Sequence, residues 1–231
     1  MSAREEILQR VRAGLGKGDA AARRAAAEAC MNNPQRGPQP QLAGDLVARF
    51  ASKAHYLASS VERVGGSDEV PAAVARYLAQ HGLPSQAVVT GDVAGLAWAG
   101  AGIDVAARGA PQGRLSHRPL RLRGAVDADK TGISGCFCAI AETGTLMLLS
   151  GPQTPASVSL LPETHIAVVP VGRIVATMED AFALLRAEQG ALPRAVNFIS
   201  GPSRTGDIEQ TIVLGAHGPC RVHLILCGEI S

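Results

Sequence analysis

The chain has 231 residues, of which 46% are hydrophobic and 18% charged, enough apolar material for one large domain with a buried core. The formal net charge is only +2 and aromatic residues make up 3%, so neither a broad basic surface nor a base-stacking platform for nucleic acid is expected. There is no run of eighteen apolar residues, and the five cysteines follow no regular spacing; the charged first residues lead us to expect no secretory leader. We therefore expect a reduced, cytoplasmic protein without a membrane span.

The first 44 residues have the pattern of a helix followed by a linker. Ser2 and Glu5 have the spacing of a capping box, and apolar residues then recur on one helical face. The segment 32–40 is rich in asparagine, glycine and proline, which is typical of an extended linker. We predict an N-terminal helix and flexible linker over residues 1–44 and an α/β domain over residues 45–231.

From residue 45 onward, short apolar runs alternate with helical patterns. Asp45 is the expected N-cap of the first helix of the domain, and further helices are predicted after residue 67 and at 178–186. The predicted strands are 61–64, 87–90, 103–105, 166–171, 195–199 and 221–227. This alternation indicates an α/β fold with a mostly parallel sheet and flanking helices.

One basic cluster follows the third predicted strand. Residues 108–123 contain five arginines and a histidine, interrupted by two prolines. The cluster is either a solvated loop or a patch that meets an acidic ligand or partner.

Two cysteines, Cys136 and Cys138, are spaced so that they would share one face of a strand. Such a pair could ligate a metal or form a redox couple, but a single Cys-x-Cys is weak support for either, and cysteine is a common core residue. The six histidines are scattered without the spacing of a zinc site. We therefore predict core packing for the cysteines and no metal in this chain.

The stretch 132–150 has the pattern of two buried strands joined at Glu142-Thr143-Gly144-Thr145. A carboxylate between apolar runs would be desolvated unless donors surround it, and the two threonine hydroxyls and the glycine amide are the candidate donors. Glu142 could then act as a general base, as a nucleophile, or as an acceptor for a ligand hydroxyl or amine. The alternative is a glutamate at a hairpin turn facing water.

The stretch 200–219 holds polar side chains between two glycine-rich turns. Its amides and the planar guanidinium of Arg204 would suit a carboxylate or phosphate, so we predict a small anionic ligand. The alternative is an ordinary loop in which Asp207 caps a helix. We expect the turns at 143–145, 201–206 and 215–218 to meet at one edge of the sheet. The candidate ligand-binding residues are Thr143, Gly144, Thr145, Ser203, Arg204, Thr205, Gly206, Asp207, Glu209, His217 and Gly218.

Three motifs, in this order, resemble the LutC/YkgG family, the LUD-domain subunit of the bacterial L-lactate utilisation system. They are Ala-Glu-Thr-Gly-Thr at 141–145, Ser-Leu-Leu-Pro with His-Ile-Ala-Val-Val at 159–169, and Ser-Gly-Pro-Ser-Arg-Thr-Gly-Asp-Ile-Glu with Gly-Ala-His-Gly-Pro at 200–219. The resemblance covers roughly residues 45–228. It implies a fold similar to that of ribose-5-phosphate isomerase, coenzyme A transferases and 5-formyltetrahydrofolate cyclo-ligase.

The resemblance also implies a role and partners. Family members act with an iron–sulfur subunit and a cysteine-rich subunit in converting lactate to pyruvate, so iron–sulfur clusters are expected in a partner and no cofactor in this chain. The expected role is a non-redox subunit of such a complex. The alternatives are a free-standing enzyme on a phosphorylated or coenzyme A-linked metabolite, with Glu142 as nucleophile or base, and a structural adaptor for the iron–sulfur subunit.

The chain departs from the family pattern at one point. Many members carry a basic residue shortly before Leu-Leu-Pro, whereas this chain has Thr-Pro-Ala-Ser-Val at 154–158. If that basic residue holds an anion elsewhere in the family, Arg204 or another arginine must do so here.

Overall fold

The computed structural model describes residues 2–14, 19–33, 37–38, 40, 42, 44–109, 129–206 and 212–228. The chain divides into two compact units, residues 1–41 and 42–231.

The first unit contains two helices, α1 (Ala3–Gly14) and α2 (Ala20–Asn32). The predicted capping box at the start of α1 is confirmed, since the Ser2 amide donates to Glu5 Oε2 at 2.7 Å and the Glu5 amide donates to Ser2 Oγ at 3.4 Å. Asp19 caps α2 in the same way by accepting from the Ala21 amide.

The described residues of the second unit form a six-stranded parallel sheet at its centre. Its strands lie in the order β1-β12-β7-β4-β2-β3. Their bounds are β1 Ser60–Val64, β2 Gln86–Val89, β3 Asp104–Ala107, β4 Thr131–Ser134, β7 Thr164–Pro170 and β12 Arg221–Cys227. The predicted mostly parallel sheet is thus confirmed, because every strand pair in this sheet is parallel.

A second sheet of four strands, in the order β8-β5-β6-β9, packs on one face of the first. Its strands are β5 Cys138–Ile140, β6 Thr145–Leu149, β8 Ile174–Val175 and β9 Val196–Ile199. A small antiparallel hairpin of β10 (Arg204–Gly206) and β11 (Ile212–Leu214) precedes β12.

Helices cover the sheets in layers because strand residues alternate between faces. Helix α4 (Val70–Gln80) covers one face of the parallel sheet through an aliphatic core that includes Ile166 and Ile225. Helix α3 (Leu46–Tyr56), capped by Asp45 as predicted, packs between the other face and the second sheet. The remaining helices are α5 (Ser157–Leu160) and α6 (Met178–Glu188), with 3₁₀ turns at Ala99–Ala101 and Val171–Arg173.

The stretch 132–150 differs from its predicted pattern. The hairpin at Glu142–Thr145 is confirmed, but a turn at residues 135–137 separates a further strand, β4, which belongs to the parallel sheet. Cys136 therefore lies outside a strand, and the prediction that it shares a strand face with Cys138 is wrong. Cys138 packs against α6, whereas Cys136 borders the core beneath α3.

Candidate functional site

The carboxyl end of the parallel sheet contains a cavity of about 190 Å³. It opens where β2 and β4 end side by side, and segments from the second sheet and the start of α5 close its other walls. Most of its surface is apolar. Its lining residues are Thr90, Asp92, Ser134, Gly135, Cys136, Phe137, Leu148, Leu149, Thr154, Pro155, Ala156, Ser159 and Asn197.

The cavity lies at a topological switch point. Strand β2 continues to its neighbour β3, whereas β4 continues in the opposite direction to β7. Adjacent parallel strands whose connections leave in opposite directions open a crevice at their carboxyl ends, and ligands of α/β proteins bind there.

A buried histidine holds the end of β4. His165 on β7 is fully buried, and desolvation lowers its pKa to about 4, so the imidazole is neutral. Its Nε2 lies 2.9 Å from Ser134 Oγ, and the same hydroxyl donates to the carbonyl oxygen of Gly135 at 2.8 Å. Because the hydroxyl has one proton, Nε2 carries the hydrogen and donates to Ser134. The imidazole thus positions the turn after β4 rather than acting as a base toward Ser134.

The thiol in the cavity wall is protonated at neutral pH. Desolvation, and then the neighbouring Cys138 and Asp92, raise the pKa of Cys136 well above its usual range. A thiolate is the nucleophilic and metal-binding form, so this environment disfavours both roles for Cys136.

A second cavity of about 420 Å³ continues along the same edge toward β7 and β12. The two cavities share Asp92 and the turn 135–137, so they are two lobes on either side of that turn. Arg173 borders the larger lobe, where its guanidinium lies 4.7 Å from the ring centre of Phe137 and pairs with both carboxylate oxygens of Glu188.

The predicted site around Glu142 lies at the other end of the second sheet. Thr145 begins β6, and the cavity is lined by the residues that end it, Leu148 and Leu149. Glu142 is half-buried and does not line either lobe. The expected donors are engaged elsewhere, because Thr143 Oγ1 donates to Thr145 Oγ1 at 2.8 Å and Thr145 Oγ1 lies 2.7 Å from Ser200 Oγ.

The turn at 200–206 lies between the hairpin at Glu142 and the turn at 215–218. Gly201 has φ +83°, and a Cβ there would overlap the carbonyl oxygen of Leu57, the C-cap residue of α3. Arg204 is exposed and donates to the same carbonyl at 3.3 Å. At the far side of the turn, the His217 amide donates to Ser203 Oγ at 3.4 Å. Gly218 packs next to Ser203.

These contacts bring together most of the predicted ligand-binding residues that the structure describes. They lie near the amino ends of β1 and β12, since Leu57 precedes β1 and residues 215–219 precede β12. Thr205 and Gly206 lie in β10, which pairs with β11. Asp207 and Glu209 lie outside the described residues, as does the basic cluster apart from Arg108, which pairs with Asp129.

The sequence-based reasoning missed the cavity residues at the carboxyl edge. Thr90-Gly91-Asp92 directly follows β2, and Ser134 ends β4 just before Gly135-Cys136. Polar residues and glycine after successive parallel strands are the signal that could have identified them. The segment 154–158, where the chain departs from the family pattern, also lines this cavity through Thr154, Pro155 and Ala156.

No group of three or more histidine, cysteine, aspartate or glutamate side chains is arranged to hold a metal ion within the part of the chain that the structure describes.

No helix formed by the described residues has the length and apolar character needed to cross a membrane.

Comparison with known proteins gives the chain its family. The sequence model of the LUD domain matches residues 47–227. Lactate utilization protein C of Bacillus subtilis is 41% identical over 101 residues, which are 42% of this chain and 42% of that protein. Lactate utilization protein C of Shouchella clausii is 42% identical over 100 residues, 42% of this chain and 44% of that protein. The chain thus matches less than half the length of these curated relatives.

A solved structure is similar over most of the chain. The crystal structure of a DUF162 family protein from Deinococcus radiodurans superposes with a TM-score of 0.56 at 25% identity, covering 82% of this chain and 100% of that chain. It supports the α/β architecture, and the family match over residues 47–227 confirms the resemblance carried by the three motifs. The chain belongs to the LUD domain family.

Proposed function

We propose that this chain is a non-redox subunit of a bacterial complex that oxidises L-lactate to pyruvate. In that complex it acts beside an iron–sulfur subunit and a cysteine-rich subunit, which carry the electrons. The observation that carries the proposal is the similarity, at about 40% identity over roughly 100 residues, to several proteins named lactate utilization protein C.

The state of the thiols supports a non-redox role. All five cysteines are free. Desolvation raises the pKa of Cys136, of Cys138 to about 11, and of Cys227, so these groups are protonated at neutral pH. Most iron–sulfur clusters take four cysteine ligands, and the five cysteines of this chain do not have the spacing of such a set, which favours placing the clusters in the partner subunit.

Omission of this chain from a reconstituted lactate-oxidising complex tests the role directly. We expect lactate-dependent dye reduction to fall sharply without the chain and to recover when the purified chain is added back. Unchanged dye reduction without it would refute the proposal. Turnover by the isolated chain that is lost in Glu142→Gln would instead support a free-standing enzyme.

The proposal includes a small anionic ligand at the turns that join β9 to β12. Arg204 supports it, because its guanidinium is exposed and makes one described hydrogen bond, to the backbone carbonyl of Leu57. A planar guanidinium can add two parallel hydrogen bonds to a carboxylate or phosphate.

Arg204→Ala is expected to weaken anion binding about tenfold or more, because a hydrogen bond to a charged group contributes about 1.5–3 kcal/mol. Calorimetry with lactate, pyruvate, phosphate and nucleotides measures this effect. Arg186→Ala, which removes the same charge from the exposed surface of α6, is the matched control. Equal binding by wild type and Arg204→Ala would mean that the arginine is structural.

A further inference from the structure

The two lobes at the carboxyl edge of the parallel sheet form one crevice that no part of the proposed role in lactate oxidation uses. The crevice has volumes of about 190 and 420 Å³ on either side of the turn 135–137. Its walls come from the ends of β2, β4, β7 and β12, and it includes the switch point between β2 and β4. The position and size are those of a site for a small molecule.

One carboxylate lines both lobes and forms no ion pair with a described residue. Asp92 is exposed, and no described residue forms a hydrogen bond or ion pair with its side chain. Its carboxylate lies against the backbone of Gly135, because a Cβ at that glycine would overlap Asp92 Oδ2. The carboxamide of Asn197, on the opposite wall of the smaller lobe, also lacks a described partner. These two side chains are therefore free to bind a ligand.

The charges in the crevice disfavour an anion. Among the described residues that line the smaller lobe there is one carboxylate and no lysine, arginine or histidine. Arg173 in the larger lobe is already neutralised by its bidentate pair with Glu188. A carboxylate accepts hydrogen bonds and donates none, so the complementary ligand presents hydroxyl or amine donors to Asp92.

The remaining walls favour a ligand with an apolar or aromatic body. Most of the surface of the smaller lobe is apolar, and Leu148, Leu149 and the protonated thiol of Cys136 contribute to it. The ring of Phe137 borders both lobes, and the guanidinium of Arg173 lies over it. A ligand with a planar ring system would make the most favourable contacts with this surface, since aromatic rings pack against one another by stacking or edge to face.

We propose that this crevice binds a neutral molecule with two adjacent hydroxyls on a planar apolar body, such as a nucleoside. The carboxylate of Asp92 accepts from the two ribose hydroxyls, one on each oxygen, and the base lies against the ring of Phe137, which borders both lobes. Parallel α/β sheets elsewhere use an acidic side chain near a strand end to hold ribose hydroxyls. This inference is independent of the proposed role in lactate oxidation.

Adenosine is the probe, with the full chain and isothermal titration calorimetry as the measurement. We expect saturable binding to the wild type and at least about tenfold weaker binding to Asp92→Asn, which keeps the shape and removes the charge. The matched control is Asp104→Asn. Asp104 is also an exposed aspartate that lines a cavity, but that cavity lies at the amino end of the sheet, so this variant should bind as wild type does.

The probe 2′-deoxyadenosine separates a contact with the diol from a general effect of charge. It should bind the wild type about tenfold more weakly than adenosine does, and the difference should largely disappear in Asp92→Asn, because the missing hydroxyl and the missing charge belong to one interaction. L-Lactate should show no binding that depends on Asp92. The inference is overturned if adenosine does not bind, if Asp92→Asn binds it as tightly as wild type, or if both nucleosides bind the wild type equally.

Discussion

Acidification from pH 6.5 to pH 4 is expected to remove about 3 kcal/mol of folding free energy for each of two buried histidines. The histidines are His165 on β7 and His223 on β12, which are 0% and 3% exposed. Desolvation lowers the pKa of each to about 4. For His223, the carboxylate of Glu62 at 3.8 Å opposes this shift without cancelling it.

The sign follows from proton binding in the two states. In the unfolded chain a histidine binds a proton near pH 6.5, whereas the folded protein keeps these two neutral down to about pH 4. Between these values the unfolded state binds more protons, so stability is complete above pH 6.5 and is lost as the pH falls toward 4. Hydrogen bonds from Lys130 and Arg173 lower the pKa values of the Glu163 and Glu188 carboxyl groups, so their contribution to stability begins to fall near pH 4.5, at the acid end of this range.

Denaturant unfolding at several pH values between 7 and 4 measures the effect. His165→Gln should lower stability at pH 7, because it removes a packed ring and the hydrogen bond to Ser134, but it should lose about half of the pH dependence. His223→Gln provides the same test at a second site. His217→Gln, which replaces an exposed histidine, is the control and should keep the wild-type dependence. If the free energy of unfolding depended on pH in both His165→Gln and His223→Gln as it does in the wild type, the lowered pKa values of these two histidines would be contradicted.

Gly132→Ala is expected to lower the free energy of unfolding by about 3 kcal/mol or more, as overpacking against a rigid neighbour does. Gly132 lies inside β4, where α5 packs directly on the strand. A Cβ there would overlap the carbonyl oxygen of Val158 and lie 2.9 Å from Pro162 Cγ. Relief requires moving α5 away from the sheet, since a backbone carbonyl cannot rotate aside.

The matched control is Gly172→Ala, because the space around Gly172 is open and its backbone is not in the left-handed region. Denaturant unfolding at pH 7 should place this variant within about 0.5 kcal/mol of wild type. Equal stability of Gly132→Ala and Gly172→Ala would mean that α5 is not held against β4 as described.

Much of the fold could be predicted because its elements are marked locally. The last strand was predicted at 221–227 and is observed at Arg221–Cys227, since a mostly apolar run begins shortly after Pro219 and ends before Gly228. The capping side chains of Ser2 and Asp45 correctly placed the starts of two helices. Both signals depend only on residues that are neighbours in the sequence, so they can be recognised without knowledge of the tertiary structure.

The candidate site was less predictable. A site was predicted around Glu142 and Arg204 because polar residues are concentrated in these two motifs. Several motif residues do contact one another, since Thr145 lies at hydrogen-bond distance from Ser200 and the His217 amide donates to Ser203. The crevice at the opposite edge is built from single residues in distant segments, such as Asp92 and Asn197. The local signal for such a site is weak, because a glycine with polar neighbours after a strand, as at Thr90-Gly91-Asp92, is common in loops and does not show which turns lie side by side.

The family, the order of most strands and helices, and the parallel character of the main sheet could all be inferred from local sequence patterns and motifs. The tertiary structure alone decided that β4 joins the parallel sheet while β5 and β6, a few residues later, form a second one. It also placed β2 beside β4, which opens the crevice. The physical reason is that periodicity sets which side chains of a strand are buried, whereas the choice of neighbouring strand depends on burial between segments far apart in the chain.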